Sequence, residues 1–353
     1  MGDNDNTGGL SCPLPFQQHP KILLAHGGGG RLTHQLQDSL FQPAFANPYL
    51  SEAHDGAILP TPEGKLAYTT DSYVVQPLFF PGGNIGRLAV FGTVNDLAMC
   101  GARPLYLSLG CILQEGLPME TLEQVVQEIK QAANEANVQI VTGDTKVVEG
   151  PEGGGIFLNT SGIGVCEHPQ PLGPKQIQPD DSIIVSGDIG RHGIAVMAQR
   201  EGLTFETQLE SDLAPVHNTV LQLLEQGIQV HCLRDLTRGG LGSALHELAN
   251  TSGISFHIEE ETIPVRSDVK AACSMLGLDP LFVANEGRFA AIVAKDDEEK
   301  CLQLLQKLHP DQQPSVVGKV GQPNPRPHLV LHHPFGTQRI LQPPSGEQLP
   351  RIC

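Results

Sequence analysis

The sequence predicts a layered α/β (α+β) fold in two domains, and three observations carry that prediction. Strand-like and helix-like segments alternate from residue 22 to about 166. Residues 168–179 then concentrate Pro169, Pro171, Pro174 and Pro179, and after them the alternation restarts. A chain of 353 residues is also long enough for two cores. The expected division is a leader over 1–20, an N-terminal domain over 21–167 and a linker over 168–180. A C-terminal domain over 181–322 and an extended arm over 323–353 complete it.

The leader is polar, and its first nine residues hold two Asp, two Asn and no basic residue, unlike a secretory signal. Aromatic and aliphatic residues over 66–73 and 104–113 predict strands. Ile85, Leu88, Ala89, Leu97 and Cys100 form a helical stripe over 85–100. Leu122, Val125, Val126, Ile129, Ala132, Ala133 and Ala136 mark a cleaner amphipathic helix, followed by strands over 138–142 and 156–165. In the second half, strands are expected over 182–186, 231–236, 281–284, 289–294 and 316–320. Helices are expected over 194–200, from Gly239-Gly240 through 248, and over 298–308. Pro323, Pro325, Pro327, Pro334, Pro343, Pro344 and Pro350 make the last stretch an extended arm.

Composition narrows the function. There are 39 acidic against 22 basic side chains, a net charge of −17, which argues against a nucleic-acid backbone as the main partner. No apolar run approaches the ~18 residues of a membrane span. The 39 glycines and 28 prolines point to many tight turns and backbone-lined sites. The eight cysteines form no C-x-x-C pair, so a reduced, cytoplasmic setting is expected, without a zinc site or disulfide framework.

Several motifs can carry chemistry. His26 precedes Gly27, Gly28, Gly29 and Gly30, a loop that serves either as a flexible turn or as a backbone cradle for phosphate. Asp71 follows a strand in Thr69-Thr70-Asp71, and Asp96 follows Asn95 within an apolar helix. Asp144 ends a buried strand in Thr142-Gly143-Asp144-Thr145-Lys146. Singly, such acids can be caps or hydrogen-bonded core groups. Converging, Asp71, Asp96 and Asp144 would suit Mg²⁺, which takes oxygen ligands and bridges to nucleotide phosphates. Asp235 sits in the charged turn over 233–241 and Glu286 at a strand end in Asn285-Glu286-Gly287, each a site candidate or half of an ordinary ion pair. The tail Pro350-Arg351-Ile352-Cys353 places a thiol nucleophile at the end of a Pro-rich segment, or is an ordinary tail.

Taken together, these motifs over about 22–353, with the Pro-Leu-Phe-Phe-Pro-Gly-Gly-Asn-Ile-Gly run at 77–86, resemble the HypE family of hydrogenase maturation proteins. That family lies in the ATP-dependent superfamily of aminoimidazole ribonucleotide synthetase and selenophosphate synthetase. The superfamily resemblance rests on the Asp and Gly motifs in order, the family resemblance on Pro-Arg-Ile-Cys. It implies an aminoimidazole ribonucleotide synthetase-like fold, with an N-terminal sheet that pairs in a homodimer and a C-terminal sheet covered by helices. It implies ATP-dependent dehydration of an S-carbamoylated Cys353 to a thiocyanate, which supplies cyanide ligands of the [NiFe]-hydrogenase iron. The carbamoyl group would come from HypF and the cyanide would go to a HypC–HypD scaffold. By the same resemblance Asp71, Asn95, Asp96 and Asp144 would hold Mg²⁺–ATP, with Gly27–30 over the phosphates. Lys146 would neutralise phosphate charge, and Asp235 or Glu286 would move a proton or orient the carbamoyl group. Residues 1–20, with Cys12, lie outside the family core. Residues 26–30 lack the reactive Cys or Sec of selenophosphate synthetases, which disfavours that activity. The competing readings are a small-molecule kinase or synthetase of the same superfamily and a non-enzymatic carrier.

Overall fold

The N-terminal half folds around a four-stranded sheet in the computed structural model, which describes residues 19–151, 153–203 and 209–343. A helical run opens it, with α1 (Arg31–Leu36), α2 (Gln42–Phe45) and α3 (Pro48–Ser51), the last capped by the Asn47 side chain. Then come β1 (Lys65–Tyr73), the short hairpin β2 (Phe79–Phe80) and β3 (Gly83–Asn84), and α4 (Ile85–Met99). Asn84 caps α4 by accepting from the Arg87 amide. β4 (Arg103–Gln114), α5 (Met119–Glu135), β5 (Gln139–Val148) and β6 (Ile156–Cys166) complete the half. The strand order is β1-β6-β4-β5, antiparallel except for β4 beside β5, which α5 joins as a crossover. Helices α4 and α5 cover one face. The opposite face leaves Leu66, Tyr68, Ile112 and Val148 exposed.

The C-terminal half carries a seven-stranded sheet. Its elements are β7 (Ser182–Val185), α6 (Arg191–Glu201), α7 (His217–Glu225), β8 (Val230–Asp235), α8 (Gly240–Ser252) and β9 (Ile254–Glu259). They continue with α9 (Ser267–Leu276), β10 (Phe289–Val293), α10 (Glu298–Leu308), β11 (Ser315–Pro323), β12 (Leu329–His332) and β13 (Gln338–Leu341). The order is β13-β12-β9-β11-β7-β10-β8, with β12 parallel to β9 and every other pair antiparallel. Helix α8 packs on one face over β9 and β12, while α7 and α10 close the other over β7, β8 and β10. Among the described residues, no helix is long and apolar enough to cross a membrane.

Three differences from the sequence reading have physical causes. The strand expected over 138–142 continues to Val148, so Asp144 lies mid-strand opposite Gly110 rather than at its end. Residues 281–284 form no strand, because Asp279 accepts from the Leu281 amide and Pro280 opens a 3-10 turn. Of the arm expected over 323–353, residues 344–353 lie outside the described residues, and the part before them adds β12 and β13, whose Leu329, Leu331 and Leu341 are buried. Pro323 ends β11, Pro325 and Pro327 lie in the turn before β12, and Pro334 follows β12.

Candidate active site

The two halves meet along α4, which packs against β1, β6 and α5 of its own half and against α7 and β8 of the other. Beside this seam lies a cleft of about 500 Å³ lined by Asp71, Asp96, Asp235, Glu286, Arg234 and Arg238. Alternation along β1 turns Thr69, Asp71 and Tyr73 to the α4 side, and leaves Tyr68 and Thr70 on the open face. Asp96, near the end of α4, accepts a 2.8 Å hydrogen bond from the Thr69 hydroxyl. Asp235 is the last residue of β8, and the Thr237 hydroxyl donates to it at 2.9 Å. Glu286 comes from the turn before β10 and is 4% exposed.

Crowded carboxylates in a desolvated cleft raise one another's proton affinity. Burial, reinforced by Asp235 and Asp71, pushes the Asp96 carboxyl up to about 6, against the Thr69 hydrogen bond and Arg238. Burial likewise raises Asp235. It raises Glu286 well above the carboxylate range, helped by Asp235, Asp212, Asp71 and Asp96. Carboxylates outnumber the two arginines in the cleft, and a hard divalent cation would relieve their repulsion. Among the described residues, no three His, Cys, Asp or Glu side chains converge as a ready-made ligand set.

The backbone around Glu286 is fixed on both sides. The Asn285 side chain accepts from the Gly190 amide at 2.6 Å and donates to the Val283 and Leu236 carbonyls. The Gly287 amide donates to Asp212 at 3.0 Å. Asn95, expected at the cofactor, lies behind the cleft wall with its amide bonded to the Ala214 and Glu286 carbonyls.

Thus Asp71, Asp96, Asp235 and Glu286 come together, and other expected site residues do not. Asp144 and Lys146 form an exposed 3.2 Å ion pair on β5, away from this cleft. Residues 27–30 pack beside β5 as well: a Cβ at Gly27 would stand 2.4 Å from the Val147 amide nitrogen, so only glycine fits. The Gly29 amide is taken by the Thr33 hydroxyl. Cys353 lies outside the described residues. Sequence reasoning does not single out Arg234, Arg238 or Asp212. The charge density of the 233–241 turn was the signal for the two arginines, and Arg234 pairs with Glu247. Asp212 gave none, since it sits in a segment without periodicity.

Two family models cover most of the chain. Residues 53–166 match the family model described as AIR synthase related protein, N-terminal domain, and residues 178–327 the model of its C-terminal domain. The carbamoyl dehydratase HypE of Azotobacter vinelandii is 46% identical over 333 residues, spanning 94% of this chain and 97% of that one. A solved hydrogenase maturation protein HypE in complex with ATP is 43% identical. It superposes with a TM-score of 0.89 over 94% of this chain and all of its own. The solved HypE–HypF complex contains a chain 42% identical, with a TM-score of 0.76 over 89% of this chain and all of its own. With both family models matched and relatives of this identity spanning nearly its whole length, the chain belongs to the HypE family of carbamoyl dehydratases.

Proposed function

We propose that the cleft between the two halves binds Mg²⁺–ATP and dehydrates a carbamoyl group carried on the sulfur of Cys353. The observation that carries this reading is the gathering of Asp71, Asp96, Asp235 and Glu286 from both halves into one cleft. The solved relative that holds ATP supports the nucleotide. ATP supplies the phosphoryl group that turns the carbamoyl oxygen into a leaving group, and Mg²⁺ would offset phosphate charge. Asp71 and Asp96 would hold the ion, and Arg234 and Arg238, which line the same cleft, would offset phosphate charge. Dehydration breaks the C–O bond, sends the oxygen out in phosphate and removes both protons from nitrogen to leave S–C≡N. Glu286, whose burial raises its proton affinity, would receive one of those protons and the departing phosphate the other, while Asp235 would orient the carbamoyl group.

The exposed apolar face of the N-terminal sheet supports a homodimer that pairs these faces. Asp144 and Lys146 lie beside that face and would reach ATP only at such an interface. HypF as carbamoyl donor is supported by the relative solved with it. Delivery of cyanide to HypC–HypD, in a cytoplasmic setting, follows from the family's place in [NiFe]-hydrogenase maturation.

The test is the intact mass of chain carbamoylated by HypF, then mixed with ATP and Mg²⁺. The expected change is loss of one water from the carbamoylated chain, and no carbamoylation of Cys353→Ala. The same loss in the Cys353→Ala chain would overturn the reading. Deleting 343–353 separates the alternative, since a small-molecule kinase or synthetase would keep its turnover without the tail.

A further inference from the structure

Asn95 is 4% exposed and all of its side-chain bonds go to the backbone of the other half. Its amide nitrogen donates to the Ala214 carbonyl at 3.0 Å and to the Glu286 carbonyl at 3.2 Å. Its amide oxygen accepts from the Val216 amide at 2.8 Å. An amide group so occupied has both donors spent, and it lies outside the residues that line the cleft. The next residue on α4 is Asp96, which does line it. One helical step therefore carries both a cleft carboxylate and the clamp on the backbone of the opposing one.

A second, independent feature tightens the same joint. Asp212 accepts from the Gly287 amide at 3.0 Å and from the His192 amide at 3.1 Å. A Cβ at Gly287 would stand 2.0 Å from the Asp212 carbonyl oxygen and 3.0 Å from the Ala214 amide nitrogen, so residues 212–214 wedge directly against the turn that bears Glu286. Glu286 is thus held from one side through Asp212 and from the other through Asn95.

We propose that Asn95 is a positioning residue rather than a nucleotide ligand, and that it sets Glu286 against Asp96 across the seam between the halves. This rests on the dehydratase reading of the cleft. The test compares Asn95→Ala and the isosteric Asn95→Asp with wild-type chain carbamoylated by HypF. Asn95→Asp keeps the acceptor for Val216 but turns an oxygen lone pair on the Ala214 and Glu286 carbonyls. It also covers the case in which Asn95→Ala fails to fold.

The expected result is an ATP affinity within about twofold of wild type. Single-turnover dehydration at saturating ATP should fall on the order of 10- to 100-fold, as for a misplaced reacting group. A loss confined to the saturated rate, with ATP affinity kept, is a split that general loss of packing would not produce. Hydrogen exchange without nucleotide supplies a readout independent of the chemistry: amides over 214–218 and 284–288 should exchange faster in Asn95→Ala. Weakened ATP binding with an unchanged saturated rate would make Asn95 a nucleotide ligand and overturn the proposal, as would unchanged exchange. Wild-type chain that binds ATP without losing water would instead sink the dehydratase reading, and exchange would still decide the role of Asn95.

Discussion

At the scale of single residues, Asp96 shows function working against stability. Its carboxyl ionises near pH 6 in the folded chain and near 4 when unfolded, so at neutral pH the buried charge destabilises the fold. Asp96→Asn should therefore raise stability at pH 7 by about 1–3 kcal/mol in denaturant titration while abolishing Mg²⁺-dependent ATP turnover. The sign reverses the usual acid behaviour. The gain should shrink as pH falls through about 6 and vanish well below 4, where wild-type Asp96 is protonated whether folded or not. Mg²⁺–ATP affinity of the wild type should weaken over the same window, as Asp96 takes up its proton. Unchanged nucleotide turnover in Asp96→Asn would count against this cleft. Asp71, Asp96, Asp235 and Glu286 were legible in the sequence because carboxylates beside apolar runs need a partner or a ligand. Asp144 was misplaced because an apolar run stops where one face of its strand becomes exposed, although the strand itself does not. Asn95 was legible as important only through its neighbour, since hydrogen bonds to distant backbone leave no local pattern.

At the scale of elements, α4 links the halves. Its stripe at Ile85, Leu88, Ala89 and Leu97 predicted a helix, yet residues are buried all round it, because helix and sheet cover one side and α7 and β8 the other. Nothing in the periodicity of one segment reveals that a second domain will cover its far face. Leu88→Ala, at a fully buried position, should cost about 2–5 kcal/mol in denaturant titration. A cost under ~1 kcal/mol would show that this joint is loosely packed. The amphipathic α5 and the strands β1, β4 and β6 were readable within a residue or two. Strand β9, helices α7 and α9, and the final hairpin of β12 and β13 were not. Their short apolar runs are broken by polar or proline residues, and long-range pairing rather than local propensity holds the strands in place.

At the scale of the whole molecule, two sheet-based halves meet along α4 beside a carboxylate cleft, and the far face of the N-terminal sheet is left open. The relative exposures of Leu66 (60%) and Tyr68 (69%) are high for apolar side chains on a sheet. In sedimentation the chain should run as a dimer, and Tyr68→Glu should shift it toward monomer with its fold retained. A wild-type monomer would refute pairing through that face. The two-layer plan was legible because alternation restarts after a proline-dense stretch. The meeting of the halves along α4 was not, because contacts across a seam carry no sequence spacing. The central claim is that this cleft removes water from the carbamoyl group on Cys353. The most direct measurement is the intact mass of carbamoylated Glu286→Gln chain given ATP and Mg²⁺, beside the wild type. The wild type should lose one water while Glu286→Gln binds ATP and keeps its carbamoyl mass; loss of water by Glu286→Gln at the wild-type rate would take the chemistry away from this cleft.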